Sequence, residues 1–300
     1  MSPTQIEQLQ MIKMKDAAGF IAALDQSGGS TPKALKVYGV EENEYEGDEA
    51  MFTKVHDMRT RIITSPFFGG DRVLGAILFE NTMDREIEGK GSATFLWENK
   101  QIIPFLKVDK GLAPLENGAQ VMKPNPGLDD LCKRGREKGI FGTKMRSVIS
   151  MGNAEGVQAV VDQQFAVGKQ ICSHGLVPII EPEIDINSPE KAEAEVLLKA
   201  ALIKAMDALN EEEFIMLKLT LPEVDNFYKE CIEHKKCVRV VALSGGYSRV
   251  VANERLAKQN GMVASFSRGL CEGLNQHQTK EEFDGMLNDS VQSIYDASKT

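Results

Sequence analysis

Eight apolar runs, each closing on charged or small polar residues, recur along this 300-residue chain at 20–27, 73–80, 103–109, 142–148, 176–183, 214–218, 238–244 and 262–267. A run that stays apolar on both faces reads as a strand buried on both sides, as in a parallel sheet. Between the runs lie helical stretches. Residues 153–169 carry Val157, Val160, Val161 and Phe165 on one side, Ser188-Pro189 opens a helix with Leu198, Leu202, Ala205 and Leu209 in period, and 222–234, 248–259 and 279 onward follow. Glu282 is placed to close a capping box with Thr279. Residues 4–16 read as an entry helix, and 111–138, broken by Pro114, Pro124 and Pro126, as an extended loop leading to a short helix.

Eight such strands alternating with helices, with no linker rich in Pro, Gly or Ser to divide them, predict a closed parallel (β/α)8 TIM barrel, a single domain over residues 1–300. An open doubly wound sheet is the alternative. It would usually carry a Gly-rich nucleotide fingerprint after its first strand, and Ser27-Gly28-Gly29-Ser30 is not one.

Composition narrows the function. Hydrophobic residues make up 42% and charged residues 26%, which suits a soluble chain with a sizeable core. A net charge of −9 gives the bulk surface no attraction for nucleic acid or an anionic membrane, so an anionic ligand would need a local positive site. No apolar stretch approaches the ~20 residues of a membrane span. Five cysteines and no signal peptide suit free thiols in a cytoplasmic setting. Cys231, His234 and Cys237 lie in an expected helix with no fourth ligand, so no metal site is expected there.

The strand ends carry the chemistry. In a barrel they converge on one mouth, and residues i and i+2 of a strand point the same way. Asp25, Lys107 with Asp109, Lys144 with Arg146, Glu181 with Glu183, and Lys218 all occupy such ends. One charged strand end is ordinary, and a lone lysine in Leu217-Lys218-Leu219 could simply reach solvent. Four cations and four anions on five strands are not ordinary surface, because a barrel interior tolerates charges only when they are paired. Lys107 and Lys144, together with burial, are expected to favour the free-amine form of Lys218, a nucleophile toward carbonyls. Schiff-base formation also needs an acid that becomes a base, and Glu181 is placed for that.

The last two strands end in Leu243-Ser244-Gly245-Gly246, with a helix from Ser248, and in Ser265-Phe266-Ser267-Arg268. Backbone N–H groups, hydroxyls and a guanidinium in that position suit a phosphate. Ser27, Ser30 and Lys33 after the first strand, helped by Lys107, offer a second anion site, although tight turns use Gly-Gly as well. Two anion sites either side of one lysine suggest a bisphosphorylated substrate.

Taken in order, Leu24-Asp25-Gln26-Ser27, Lys107-Val108-Asp109-Lys110-Gly111, Lys144-Met145-Arg146, Glu181-Pro182-Glu183-Ile184, Leu217-Lys218, Leu243-Ser244-Gly245-Gly246 and Ser265-Phe266-Ser267-Arg268 resemble the class I fructose-bisphosphate aldolases, over about 22–270. The resemblance implies a glycolytic lyase acting on phosphorylated sugars without metal or cofactor. It implies that Lys218 forms the Schiff base with dihydroxyacetone phosphate, that Glu181 is its acid/base, that Asp25 handles the hydroxyl proton, and that Lys144 and Glu183 set the electrostatics. Ser244, Gly245 and Arg268 would hold the ketose-side phosphate, beside Ser265, and Ser27, Ser30, Lys33, Lys107 and Arg146 the other end. Family members are often tetramers, so a homo-oligomer is compatible with the resemblance.

Gln26 stands where the animal enzymes carry Glu, Met145 where they carry Trp, and Arg268-Gly269 where Arg-Ala is commoner. With Thr300 as its last residue, the chain is expected to lack the long C-terminal arm whose tyrosine assists proton transfer in the animal enzymes, and Tyr295 is not expected to take that role. A Schiff-base aldolase for another sugar, such as tagatose 1,6-bisphosphate, is the nearest alternative, and a non-catalytic scaffold a distant one. A zinc-dependent aldolase is disfavoured because His56, His174, His234 and His277 are scattered.

Overall fold

In the computed structural model, which describes residues 3–300, the eight runs form β1 (Phe20–Leu24), β2 (Val73–Leu78), β3 (Ile103–Lys107), β4 (Gly142–Ile149), β5 (Val177–Ile184), β6 (Ile215–Thr220), β7 (Cys237–Leu243) and β8 (Val263–Ala264). Each pairs in parallel with the next in sequence. Among the described residues β8 and β1 share no ladder. The seam is bridged by the Ala23 N–H, which donates to the Phe266 carbonyl at 3.4 Å.

Strand periodicity explains why the barrel is apolar below and charged above. On alternate residues the inward face runs Ile21-Ala23-Asp25, Ile103-Phe105-Lys107, Val177-Ile179-Glu181 and Met216-Lys218, and the apolar members form one buried cluster with Leu74, Ile77 and Val241. Phe105 fills the barrel because Gly142 makes room for it: a Cβ at Gly142 would lie 2.8 Å from the Phe105 ring and 2.2 Å from the Val177 carbonyl oxygen. Met14, from helix α1 (Pro3–Asp16), closes the bottom of this cluster and is fully buried. The outward face, including Ala22, Leu24, Leu106 and Ile180, packs in a second cluster beneath the helices.

Those helices are α2 (Ser30–Val37), α3 (Gly47–Thr64), α4 (Ser92–Lys100), α5 (Leu128–Glu137), α6 (Ala154–Ser173), α7 (Lys191–Asp207), α8 (Arg249–Leu256) and α9 (Lys280–Ala297). Caps set several boundaries. The Asn153 side chain accepts from the N–H groups of Glu155 and Gly156, and Thr279 and Glu282 form the expected capping box.

The helix expected over 222–234 is reduced to one turn, Lys229–Ile232. Asn226 there has a positive φ of 57°, and the Leu221 carbonyl is taken by the Lys191 ammonium at 2.9 Å, so the chain turns instead of coiling. Cys237 consequently opens β7 and is not part of a helix. α7 starts at Lys191, not at Ser188-Pro189, because the Ser188 hydroxyl closes a turn by accepting from the Glu190 N–H at 3.2 Å. The 111–138 loop is more ordered than expected: Ala119–Gln120 adds an antiparallel strand to the end of β4. Among the described residues no helix is long and apolar enough to cross a membrane.

Candidate active site

At the C-terminal mouth of the barrel lies a cavity of about 870 Å³. It is lined by every residue the sequence singled out: Asp25, Ser27, Ser30, Lys33, Lys107, Lys144, Arg146, Glu181, Glu183, Lys218, Ser244, Gly245, Ser265 and Arg268. The inward parity of the strands brings in the charged groups at their ends, while Ser30 and Lys33 come from α2 and Arg268 from the short helix after β8.

Four of them form a line of alternating charge. Lys218 Nζ lies 3.1 Å from Glu181 Oε1, Glu181 Oε2 lies 2.7 Å from Lys144 Nζ, and that ammonium donates to Asp25 Oδ2 at 2.9 Å. All four residues are buried, at 7% exposure or less. Two cations and two anions cancel, which is what makes their burial tolerable. Burial by itself pushes the Asp25 carboxyl up, but Lys144, Lys218 and Lys107 outweigh it and hold the group well below the usual carboxylate range. Burial likewise pushes the Lys144 ammonium down, and Asp25, Glu181 and Asp109 overcome that and hold it above the usual lysine range. Lys144 is therefore a cation shared by two carboxylates, as expected where buried charges are paired.

Two further pairs flank the line. Lys107 Nζ donates to Asp109 Oδ1 at 2.7 Å, and Arg146 Nε donates to Glu183 Oε2 at 2.5 Å. Behind Glu181, Gln164 of α6 donates to its backbone carbonyl at 3.1 Å.

The rim of the cavity adds glycine turns and uncommitted donors. Gly245 and Gly246 have positive φ of 59° and 130°, and a Cβ on Gly245 would lie 2.7 Å from Ile186, so the turn over β7 needs glycine there. α8 follows with Ser248 as its N-cap. The Ser265 hydroxyl is buried with no hydrogen-bond partner, and among the described residues Arg268 and Lys33 make no ion pair, so these donors remain available to a ligand. Ser30 is differently placed: its hydroxyl closes its own turn, accepting from the Ser27 N–H and donating to the Ser27 carbonyl.

Among the described residues no group of His, Cys, Asp and Glu converges as metal ligands, and none of the four histidines lines the cavity. Tyr295 lies in a different depression, beside α1 and Trp97. Sequence reasoning missed Arg59 of α3, which is fully buried beneath the mouth and donates to Gln26. Its signal was available: Arg59 interrupts an apolar stripe of Val55, Met58, Ile62 and Ile63 at helical spacing.

A buried amine beside a carboxylate at the mouth of a parallel barrel, with glycine turns and unpaired cations around it, is a layout suited to lysine-dependent chemistry on carbonyl compounds. The sequence model of the class-I fructose-bisphosphate aldolase family matches residues 8–236. A fructose-bisphosphate aldolase class 1 from Synechocystis sp. is 60% identical over 293 residues, which span 98% of each chain. The chain belongs to the class-I fructose-bisphosphate aldolase family. In fold it is similar to a fructose-bisphosphate aldolase from Plasmodium falciparum (TM-score 0.77, 20% identity, covering 99% of this chain and 95% of that one). It is similar, more distantly, to a Corynebacterium glutamicum protein (TM-score 0.57, 14% identity, covering 99% and 92%).

Proposed function

We propose that the chain catalyses the reversible cleavage of fructose 1,6-bisphosphate to dihydroxyacetone phosphate and glyceraldehyde 3-phosphate through a Schiff base on Lys218. The contact that carries this reading is the 3.1 Å approach of Lys218 Nζ to Glu181 Oε1 in a buried, charge-balanced line. Lys218 passes a proton to Glu181, and its free amine adds to the carbonyl at carbon two. Glu181 returns the proton to the resulting hydroxyl, which leaves as water and gives the iminium.

Asp25, held ionised, accepts the proton of the carbon-four hydroxyl. The electrons of the bond between carbons three and four then flow into the iminium, giving an enamine and releasing glyceraldehyde 3-phosphate. Protonation at carbon three and addition of water free dihydroxyacetone phosphate and restore the amine. Lys144 orients Asp25 and Glu181 and holds Asp25 ionised, and Arg146 pairs with Glu183 on the far side. Ser244, Gly245, Ser265 and Arg268 take one phosphate; Ser27, Lys33, Lys107 and Arg146 take the other, with Ser30 holding the turn that presents Ser27. The five free cysteines suit a reducing compartment, the cytoplasm.

Borohydride reduction in the presence of dihydroxyacetone phosphate tests the reading. The expected product is one reduced adduct on the peptide containing Lys218. An adduct on Lys107 or Lys144, or none, overturns the assignment.

A further inference from the structure

Arg59 is fully buried, its Nε lacks a hydrogen-bond partner, and among the described residues no carboxylate lies within ion-pairing distance of it. Burial pushes its guanidinium down to about 10, against the pull of Asp25. A cation kept under such terms needs a compensating use. Its hydrogen bonds indicate one. Arg59 donates to the Thr82 hydroxyl at 2.7 Å, to the Gln26 carbonyl at 2.6 Å and to the Gln26 side-chain oxygen at 3.2 Å. Gln26 in turn donates from Nε2 to the Ser267 hydroxyl at 2.7 Å. Because a guanidinium can only donate, it fixes which end of the Gln26 amide faces Ser267.

This relay crosses the loops after β2, β1 and β8. It spans the seam that Ala23 and Phe266 bridge with one 3.4 Å backbone contact, next to a β8 of only two residues. Asp25 immediately precedes Gln26, and Arg268 immediately follows Ser267. We propose that Arg59, acting through Gln26 and Ser267, is a positioning residue that fixes the separation between the Asp25 carboxylate and the Arg268 anion corner. The proposal rests on the functional reading above. A ligand that meets both groups at once feels the relay; attachment of a short ketose to Lys218 depends on it less.

A double-mutant cycle on the full chain tests this, with kcat and KM for fructose 1,6-bisphosphate cleavage, thermal melting and borohydride trapping as readouts. Gln26→Leu and Ser267→Ala are each expected to raise KM about tenfold, and the double variant no further, because both cut the same connection. Gln26→Glu keeps an acceptor for Arg59 and can accept from the Ser267 hydroxyl, so it should stay within about threefold of the parent. Arg59→Met should resemble Gln26→Leu; if it does not fold, Arg59→Lys, which keeps the charge and one donor toward Gln26, should still raise KM, and a parent-like KM in a folded Arg59 variant overturns its role. Additive effects, which would mean that Ser267 meets the ligand independently of Gln26, overturn the relay. So does an unchanged KM, or a Gln26→Glu variant as impaired as Gln26→Leu. Failure of the functional reading is separate: it appears as a parent protein with no Lys218 adduct.

Discussion

Lys218 and Glu181 form an ion pair at the barrel mouth, with Nζ 3.1 Å from Oε1. The second oxygen of Glu181 lies 2.7 Å from the Lys144 ammonium, within ion-pairing reach. The carboxylate thus sits between two lysines, one of which is shared with Asp25.

Removing the two partners should therefore fail in different ways. Lys218→Met is expected to abolish both cleavage and borohydride trapping. Glu181→Gln retains the amine but not the proton carrier, and should slow adduct formation by about a hundredfold or more while still labelling Lys218. Equal trapping rates in the parent and Glu181→Gln would remove Glu181 from that role.

Lys144→Met leaves the carboxylates of Asp25 and Glu181 buried with their shared cation gone, a change that costs about 3–5 kcal/mol at pH 7 in urea unfolding. The sign follows from the two shifts. Asp25 is depressed, so its stabilisation is present above the ordinary carboxylate value of about 4 and is lost as pH falls through its lower folded value. Lys144 is raised, so its contribution is present below the ordinary lysine value of about 10 and is lost only as pH rises through its higher folded value. The deficit of Lys144→Met should be flat between about pH 5 and pH 9, and its acid-unfolding midpoint should lie at higher pH than the parent's. A midpoint that does not move would show that Asp25 does not depend on Lys144.

Gly245→Ala forces a Cβ into a left-handed turn and toward Ile186 at 2.7 Å. Strain of about 1–3 kcal/mol is expected in thermal melting, and KM for the bisphosphate should rise because the backbone N–H groups of the turn are displaced. A variant that melts lower but binds normally would separate this turn from the phosphate site.

The thiols should be quiet in the folded protein. Burial pushes Cys132 and Cys231 up to about 12 and Cys172 and Cys271 up to about 11, and it raises Cys237 further still. Alkylation at pH 8 should be more than about tenfold slower for the folded chain than in denaturant, where ordinary thiols near 8.5 ionise. Rapid labelling of Cys271, which is half-buried and lines the cavity, would show that its thiol is not held above the ordinary range.

Much of the barrel was legible because strand faces and helix caps are local properties. Ile103, Phe105 and Lys107 share a face whatever the rest of the chain does, and Thr279 and Glu282 need only each other to cap α9. The failures were also local readings, overruled from a distance. The 222–234 stretch lost most of its helix to a buried Lys191 that takes the Leu221 carbonyl, thirty residues away in sequence. Arg59 passed unnoticed because an arginine on an apolar stripe has no partner visible nearby in the chain.

The sequence by itself determined which groups reach the mouth: an amine, carboxylates, glycine turns and free cations at the ends of apolar strands. The tertiary structure decided which of them touch. Lys144 and Asp25 are 119 residues apart and meet at 2.9 Å only because β1 and β4 belong to one curved sheet with a fixed register. A side chain's face is set by the backbone period of its own strand, but its partner across a barrel is set by strand stagger and closure, which the chain establishes only when all eight strands pack together.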